Sequence, residues 1–169
     1  MFDACVLGVD PGVAKVGLAV VRCHDRTAEL LWAGTVRTAA DVPEADRLRL
    51  VAEAVRAAIA EHRPAAVSIE RVAWNRNQVS ALQVARATGV VMVVASDAGL
   101  PVEEYGPNEV KIAVTGAGNA GKREVQSALV RLHGLRGVPS QPDAADAVAV
   151  ALTHLVGARM RALSRAGAR

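Results

Sequence analysis

Three apolar runs in the first forty residues follow the pattern of β-strands. Residues 4–9 form one run and residues 15–22 (KVGLAVVR) a second, with Pro11 and Gly12 between them. A Pro-Gly pair favours a type II turn, so the two runs predict a hairpin. The segment AELLWAGTVRT, residues 28–38, predicts a third strand. The chain is therefore expected to begin with a β-meander.

The rest of the chain alternates between helical and strand patterns. Apolar side chains recur every three or four positions through residues 43–62, which predicts an amphipathic helix. The stretches PAAVSIE and PVEEYGP predict short strands, and the apolar stretch between them predicts a helix that continues past Gly89. Residues 108–135 predict a helix, a glycine-rich loop and a helix, and residues 140–160 a final helix. This order predicts an α/β fold with helices on the faces of a mixed sheet.

Length and composition fit one domain. The chain has 169 residues, of which 51% are hydrophobic, and this is ample for a packed core. We expect this domain to span residues 1–157, followed by a basic C-terminal tail, residues 158–169, with four arginines and no acid after Asp146. The tail predicts either a solvated helix end or an arm that contacts phosphates. The net charge of +3 is compatible with a polyanionic partner but does not require one.

Targeting and redox features favour a cytoplasmic protein. The first residues lack a basic region followed by an apolar segment, and no window approaches the roughly 18 apolar residues that a membrane helix needs. Cys5 and Cys23 lie in apolar, strand-like surroundings without metal-ligand or CxxC spacing, which predicts buried, reduced thiols. The four histidines are interpreted as structural or solvated residues.

Two carboxylates end apolar strands. Asp10 ends the first strand, and Glu70 ends the strand PAAVSIE. If these strands are parallel neighbours, they lie about 4.8 Å apart and the carboxylates nearly touch. Repulsion within such a pair raises the pKa of one of the two carboxyl groups unless a cation lies between them. Carboxylate oxygens are hard ligands, which suit Mg²⁺ or Mn²⁺. The alternative is that Asp10 only opens the turn.

The final helix contributes two more acids, in the sequence PDAADAV. Asp143 and Asp146 are three residues apart and lie on nearly the same helical face, within the first turn. The alternative is structural, because acids at a helix N-terminus are favoured by the helix dipole and Ser140 can cap the helix. The coincidence of three segments that each place an acid at the end of an apolar element favours a metal site.

The motifs LGVDPG, SIERV and PDAADAVAVALTH, in this order, resemble those of the RuvC family. This family comprises bacterial crossover junction endodeoxyribonucleases of the ribonuclease H-like superfamily. The resemblance covers nearly the whole chain up to about residue 155. It implies a ribonuclease H-like fold with a five-stranded mixed sheet flanked by helices. It also implies a homodimer that binds four-way junction DNA, resolves Holliday junctions by paired symmetric nicks and works with the branch-migration proteins RuvA and RuvB.

The resemblance also assigns the acids. It places the metal-binding, catalytic set on Asp10, Glu70, Asp143 and Asp146, which are the residues selected above. It implies two Mg²⁺ ions, with Mn²⁺ as a substitute: one ion activates a water and the other stabilises the leaving 3′ oxygen. The expected products carry a 5′-phosphate and a 3′-hydroxyl.

The expected DNA contacts follow the family pattern with one departure. Many members carry an aromatic three residues beyond the glutamate, where this chain has Ala73, followed by Trp74. Trp74 either stacks on an unpaired base with a shifted register or covers an apolar patch. Lys111 and Lys122 match basic family positions that contact DNA. The further phosphate-contact predictions are Arg76 and Arg123, and each of these four charges has a solvated surface position as its alternative.

Three other functions stay open at this point. A related ribonuclease H-like nuclease would cut RNA or an RNA/DNA hybrid. A P-loop-like or actin-like nucleotide-binding protein is the second, because GAGNAGK matches half of a P-loop and strands that end in Asp-x-Gly also occur in such ATPases. Arg123 replaces the hydroxyl residue that should follow the P-loop lysine, and 169 residues are too few for the usual two lobes. A catalytically silent junction-binding module is the third, and the complete acidic set argues against it.

Overall fold

Five strands form one mixed sheet in the order β3-β2-β1-β4-β5. The computed structural model describes residues 2–12, 14–71 and 78–167. Antiparallel pairing joins β1 to β2 and β2 to β3, and β4 runs parallel to both β1 and β5. The predicted meander and mixed sheet are confirmed. The strands are β1 (Asp3–Pro11), β2 (Lys15–His24), β3 (Thr27–Arg37), β4 (Ala66–Glu70) and β5 (Val102–Tyr105).

Helices cover both faces of the sheet, because the strands alternate two sets of apolar side chains. Leu7, Val9 and Ile69 pack in the core on the side of α1 and α2. Val6 and Ala19 point to the opposite face, into the core built with α3, α4 and α5. The helices are α1 (Glu44–His62), α2 (Gln78–Asp97), α3 (Pro107–Thr115), α4 (Lys122–Arg131) and α5 (Pro142–Gly167).

Helix α5 lies very close to the sheet because glycines face it. A Cβ on Gly8 of β1 would lie 2.1 Å from the carbonyl oxygen of Ala147, and a Cβ on Gly17 of β2 would lie 1.9 Å from that of Asp143. Only residues without a side chain allow this approach of backbone to backbone. The alanine-rich sequence of α5 supplies the matching surface, with Ala144, Ala147 and Ala151 buried.

One expectation about hydropathy was wrong. Within the described residues, Val79–Asp97 of α2 spans 19 residues with a mean hydropathy of 1.5, long and apolar enough by composition to cross a membrane. Core helices of globular proteins meet the same criterion. Val91 and Ala95 of this segment are buried in the core, and Arg86 forms an ion pair with Glu44 of α1. Packing within this chain therefore accounts for only part of the apolar length of α2, since Leu82 and Val93 are exposed.

The cysteines, two of the histidines and the C-terminal segment were also subjects of prediction. Cys5 and Cys23 are free and buried, as predicted. His154 is buried and bonded to Tyr105, and His133 contacts the carbonyl of Val114, so both have structural partners. Helix α5 continues to Gly167, and the backbone of residues 158–167 is thus helical.

Candidate active site

Asp10 and Glu70 lie side by side where two parallel strands end. Val9 of β1 is level with Ile69 of β4, so the next residues, Asp10 and Glu70, are level as well. The pleat turns both side chains to the face covered by α5, since Val9 and Ile69 point to the opposite face. Both carboxyl groups are partly buried, and they lie close enough for the charge of Glu70 to raise the pKa of Asp10.

The pKa values of Asp10 and Glu70 reflect two carboxyl groups that lie close together. Burial, followed by repulsion from Glu70 and then Asp146, raises the pKa of Asp10 to about 8. Burial and Asp146 also raise the pKa of Glu70, while the hydrogen bond from Asp10 acts in the opposite direction. In the metal-free protein, the protonated forms of both groups are therefore favoured to higher pH than those of free carboxyl groups. A bound cation would remove this repulsion.

Asp143 and Asp146 of α5 lie on the same face of the sheet as Asp10 and Glu70, and the four residues form an acidic cluster. The main chain of Asp143 packs on Gly17, which is the β2 residue paired with Asp10. Asp146, one turn further, is partly buried and raises the pKa values of both Asp10 and Glu70. Asp143 makes the smallest of the contributions that raise the pKa of Asp10. The structure thus brings Asp10, Glu70 and Asp146 into close electrostatic contact, with Asp143 more weakly coupled.

Two lysines line a cavity next to the acids. A cavity of about 240 Å³ is lined by Glu70, Lys111, Lys122 and Asp146, among others, and lies between β4, α3, α4 and α5. Lys122 Nζ donates to Asp146 Oδ2 at 2.9 Å, and this bond raises the pKa of Lys122. Both lysines lower the pKa of Glu70. The cavity therefore combines carboxylates with cationic groups, as a site for a metal and a phosphate requires.

The glycine-rich loop fixes where Lys122 begins its helix. Gly121 N donates to Glu124 Oε2 at 2.6 Å, a capping contact that starts α4 at Lys122. The residues before this loop form helix α3, whereas a P-loop follows a strand. The P-loop interpretation is therefore wrong. Arg123 lines a separate groove of about 510 Å³ with Asn119 and Arg131.

The comparisons with known proteins agree with this geometry. Residues 6–154 match the family model described as crossover junction endodeoxyribonuclease RuvC. The RuvC protein of Leifsonia xyli subsp. xyli is 42% identical over 164 residues, which cover 96% of this chain and 79% of the relative. The chain belongs to the RuvC family. The RuvC protein of Nocardia farcinica is 45% identical over 150 residues, covering 88% of this chain and 79% of the relative.

Solved structures confirm the ribonuclease H-like fold expected of the RuvC family. Thermus thermophilus RuvC in complex with a Holliday junction substrate superimposes with a TM-score of 0.87 at 38% identity, over 93% of this chain and 96% of that one. The yeast mitochondrial Holliday junction resolvase Ydc2 is only 12% identical and has a TM-score of 0.69 over 92% of this chain and 80% of that one, so it shares the fold alone.

The residues present suit the divalent metal that the RuvC resemblance implies. Asp10, Glu70 and Asp146 offer carboxylate oxygens, the hard ligands that Mg²⁺ and Mn²⁺ prefer. Within residues 2–12, 14–71 and 78–167, however, no three His, Cys, Asp or Glu side chains already converge as a metal site. Asp146 instead pairs with Lys122. Metal binding by the four acids stays a prediction, and in the structure one oxygen of Asp146 accepts a hydrogen bond from Lys122.

The segment after Glu70 leaves part of the predicted DNA interface untested. Ala73, Trp74 and Arg76 lie outside the described residues, so base stacking by Trp74 and phosphate contact by Arg76 stay predictions. Arg71 is described, and its backbone N–H donates to the carbonyl of Tyr105 at 2.8 Å. This bond continues the alignment of β4 with β5 one residue beyond the acid.

Sequence reasoning missed three contributors to the site. Gly17 admits α5, and its signal was a glycine inside the strand pattern KVGLAVVR. Tyr105 Oη lies 3.1 Å from His154 Nδ1 and ties the end of β5, level with Glu70, to α5. The pairing of Lys122 with Asp146 had no local signal, because the residues are 24 positions apart.

Proposed function

We propose that this chain is a structure-selective endodeoxyribonuclease that resolves Holliday junctions by paired, symmetric nicks. The observation that supports this most is the adjacency of Asp10 and Glu70 on the paired strands β1 and β4, with Asp146 close enough to raise the pKa of both. Membership of the RuvC family and similarity to a relative solved with a Holliday junction substrate support the same function. Recombination and DNA repair are the processes that such a reaction serves.

The mechanism assigns the four acids to metal binding. Asp10, Glu70, Asp143 and Asp146 would hold two Mg²⁺ ions, for which Mn²⁺ can substitute. When bound, these ions supply the positive charge that activates water for attack on phosphorus and stabilises the leaving 3′ oxygen. The products would carry a 5′-phosphate and a 3′-hydroxyl, ready for ligation.

The lysines orient the substrate. Lys111 and Lys122 line the cavity beside Glu70, where their ammonium groups would bind the phosphates that flank the scissile bond. The partly buried position of the acids strengthens these electrostatic interactions relative to bulk water. Arg123 lies on the neighbouring groove, from which it would reach phosphates further along the strand.

A homodimer would match the two-fold symmetry of a four-way junction. Helix α2 supports this assignment, because Leu82 and Val93 are 53% and 60% exposed, respectively, although both are large apolar residues. A second copy packed on this helix would bury them and place a second active site for the opposite strand. Cooperation with RuvA and RuvB is inferred from the family resemblance alone, whereas a cytoplasmic location is also favoured by the targeting and cysteine patterns of the sequence.

A substrate panel tests the proposed function. The purified protein is incubated with a synthetic four-way DNA junction, linear duplex, single strand and RNA/DNA hybrid, each with Mg²⁺, with Mn²⁺ or with chelator. We expect metal-dependent, symmetric nicks on the junction alone, and ligase should reseal them. Cleavage of the hybrid in place of the junction would contradict the substrate assignment, and cleavage in chelator would contradict the metal mechanism.

A further inference from the structure

The ion pair between Lys122 and Asp146 connects a proposed phosphate contact with a proposed metal ligand. Lys122 Nζ lies 2.9 Å from Asp146 Oδ2, a short, charge-assisted hydrogen bond. The lysine side chain is 74% exposed, whereas that of Asp146 is only 24% exposed. The aspartate is thus held by its helix while the lysine reaches it from solvent.

The lysine can leave this partner without any change in the backbone. Its Cα is fixed at the first position of α4, where Gly121 N donates to Glu124 Oε2. The ammonium stands at the end of a flexible, four-carbon stem, and the cavity beside it is lined by both Glu70 and Lys111. Asp146 and Lys122 line this cavity as well, so rotation of the lysine side chain alone can move the ammonium away from Asp146 within the cavity.

We propose that Lys122 is a displaceable counter-cation of Asp146 and competes with the divalent metal for this carboxylate. This inference rests on the proposed function, in which Asp146 is a metal ligand and Lys122 a phosphate contact. A metal that binds Asp146 releases the ammonium, and the freed charge becomes available to a DNA phosphate. Metal binding and phosphate binding at this site are then positively coupled, and the coupling is reciprocal.

Lys111 provides the matched control. It lines the same cavity and lowers the pKa of Glu70, as Lys122 does. Among the described residues, however, the structure gives no ion pair between Lys111 and an acid. Removal of either lysine takes one positive charge from the cavity, and only removal of Lys122 also takes a competitor from Asp146. The difference between the two variants isolates the direct contact.

The test measures Mn²⁺ affinity of the free protein by titration calorimetry, without DNA. We expect Lys122→Met to bind Mn²⁺ about two- to fivefold more tightly than Lys111→Met, the range that rupture of a solvent-exposed ion pair provides. Lys122→Arg keeps both the charge and the pairing, so its affinity should return towards that of the wild type. Thermal melts of each variant establish that it is folded.

The outcomes separate this inference from the proposed function. Equal Mn²⁺ affinities for Lys122→Met and Lys111→Met, or an affinity of Lys122→Arg equal to that of Lys122→Met, would overturn the competition. Wild-type protein that binds Mn²⁺ and shows the expected difference but cuts no junction would overturn the proposed function alone. A wild type and variants that bind no Mn²⁺ would overturn both.

Discussion

Replacement of Gly17 by alanine tests whether the close packing of α5 on the sheet positions the acidic cluster. A Cβ at this position would lie 1.9 Å from the carbonyl oxygen of Asp143 and 2.4 Å from its carbonyl carbon. Both atoms belong to the helix backbone, so rotation of a side chain cannot relieve the clash. An ordinary carbon–oxygen contact is about 3.3 Å, so the start of α5 must move by about 1.4 Å away from β2.

This displacement has two measurable consequences. Overpacking of a tightly packed interface costs about 1–3 kcal/mol, which should appear as a lower urea midpoint with an unchanged slope. The acids of α5 move with the helix, and misplacement of catalytic groups by about 1 Å can cost roughly 100-fold in rate. We therefore expect Gly17→Ala to cleave a four-way junction roughly 100-fold more slowly under conditions in which it is fully folded.

Gly157→Ala is the control, because it adds the same methyl group to α5 itself. There the new Cβ would meet only the flexible end of Arg161, whose Nη1 lies 3.3 Å away. We expect unchanged cleavage, with stability unchanged or up to about 1 kcal/mol higher from helix propensity. The reasoning is refuted if Gly17→Ala matches the wild type in both stability and cleavage rate.

Two further predictions concern groups around the site. Asp10→Asn should stabilise the metal-free protein at pH 8, because the raised pKa of Asp10 means that its ionised form opposes folding. The difference should shrink as the pH falls towards the ordinary aspartate value, and urea unfolding at pH 8 and 5 measures it. Tyr105→Phe should lose about 1–2 kcal/mol of unfolding free energy, since buried His154 loses its 3.1 Å partner.

Each of these predictions has a contradicting result. Asp10 titrates towards the protonated form as the pH falls, and the repulsion disappears with its charge. An advantage of Asp10→Asn that grows at low pH would therefore contradict the assigned cause. For Tyr105, the double variant Tyr105→Phe with His154→Phe removes both polar partners. If the destabilisation of the double variant equals the sum of the two single-variant effects, the hydrogen bond between Tyr105 and His154 contributes no coupling energy.

The sequence predicted those features that rest on local patterning. Strands β1 to β3 followed from their apolar runs, but the turn prediction at Pro11-Gly12 was wrong for Pro11, which belongs to β1 and pairs with Val16. The pairing of Asp10 with Glu70 followed from the geometry of parallel strands, once each acid ended an apolar run. The fold was therefore predictable because periodicity and turn chemistry agree along most of the chain.

The features that escaped prediction are tertiary. The contact between Lys122 and Asp146 depends on how α4 packs beside α5, and no local pattern encodes it. The hydropathy of α2 exceeded expectation because this helix is apolar both where it packs against the sheet and α1 and at exposed positions such as Leu82 and Val93. The close approach of α5 to the sheet depends on Gly8 and Gly17. These two glycines face the same helix only because β1 and β2 are paired, so their spacing in the sequence does not predict the contact.

Replacement of Glu70 by glutamine tests the central claim most directly. This change keeps the shape of the side chain but removes the charge that the account assigns to metal binding beside Asp10. Glu29→Gln, an exposed position on β3, is the matched control and should behave as the wild type. With Mg²⁺ present, we predict that Glu70→Gln binds a four-way junction with unchanged affinity and does not cut it. Symmetric nicking retained by the purified Glu70→Gln protein would contradict the account.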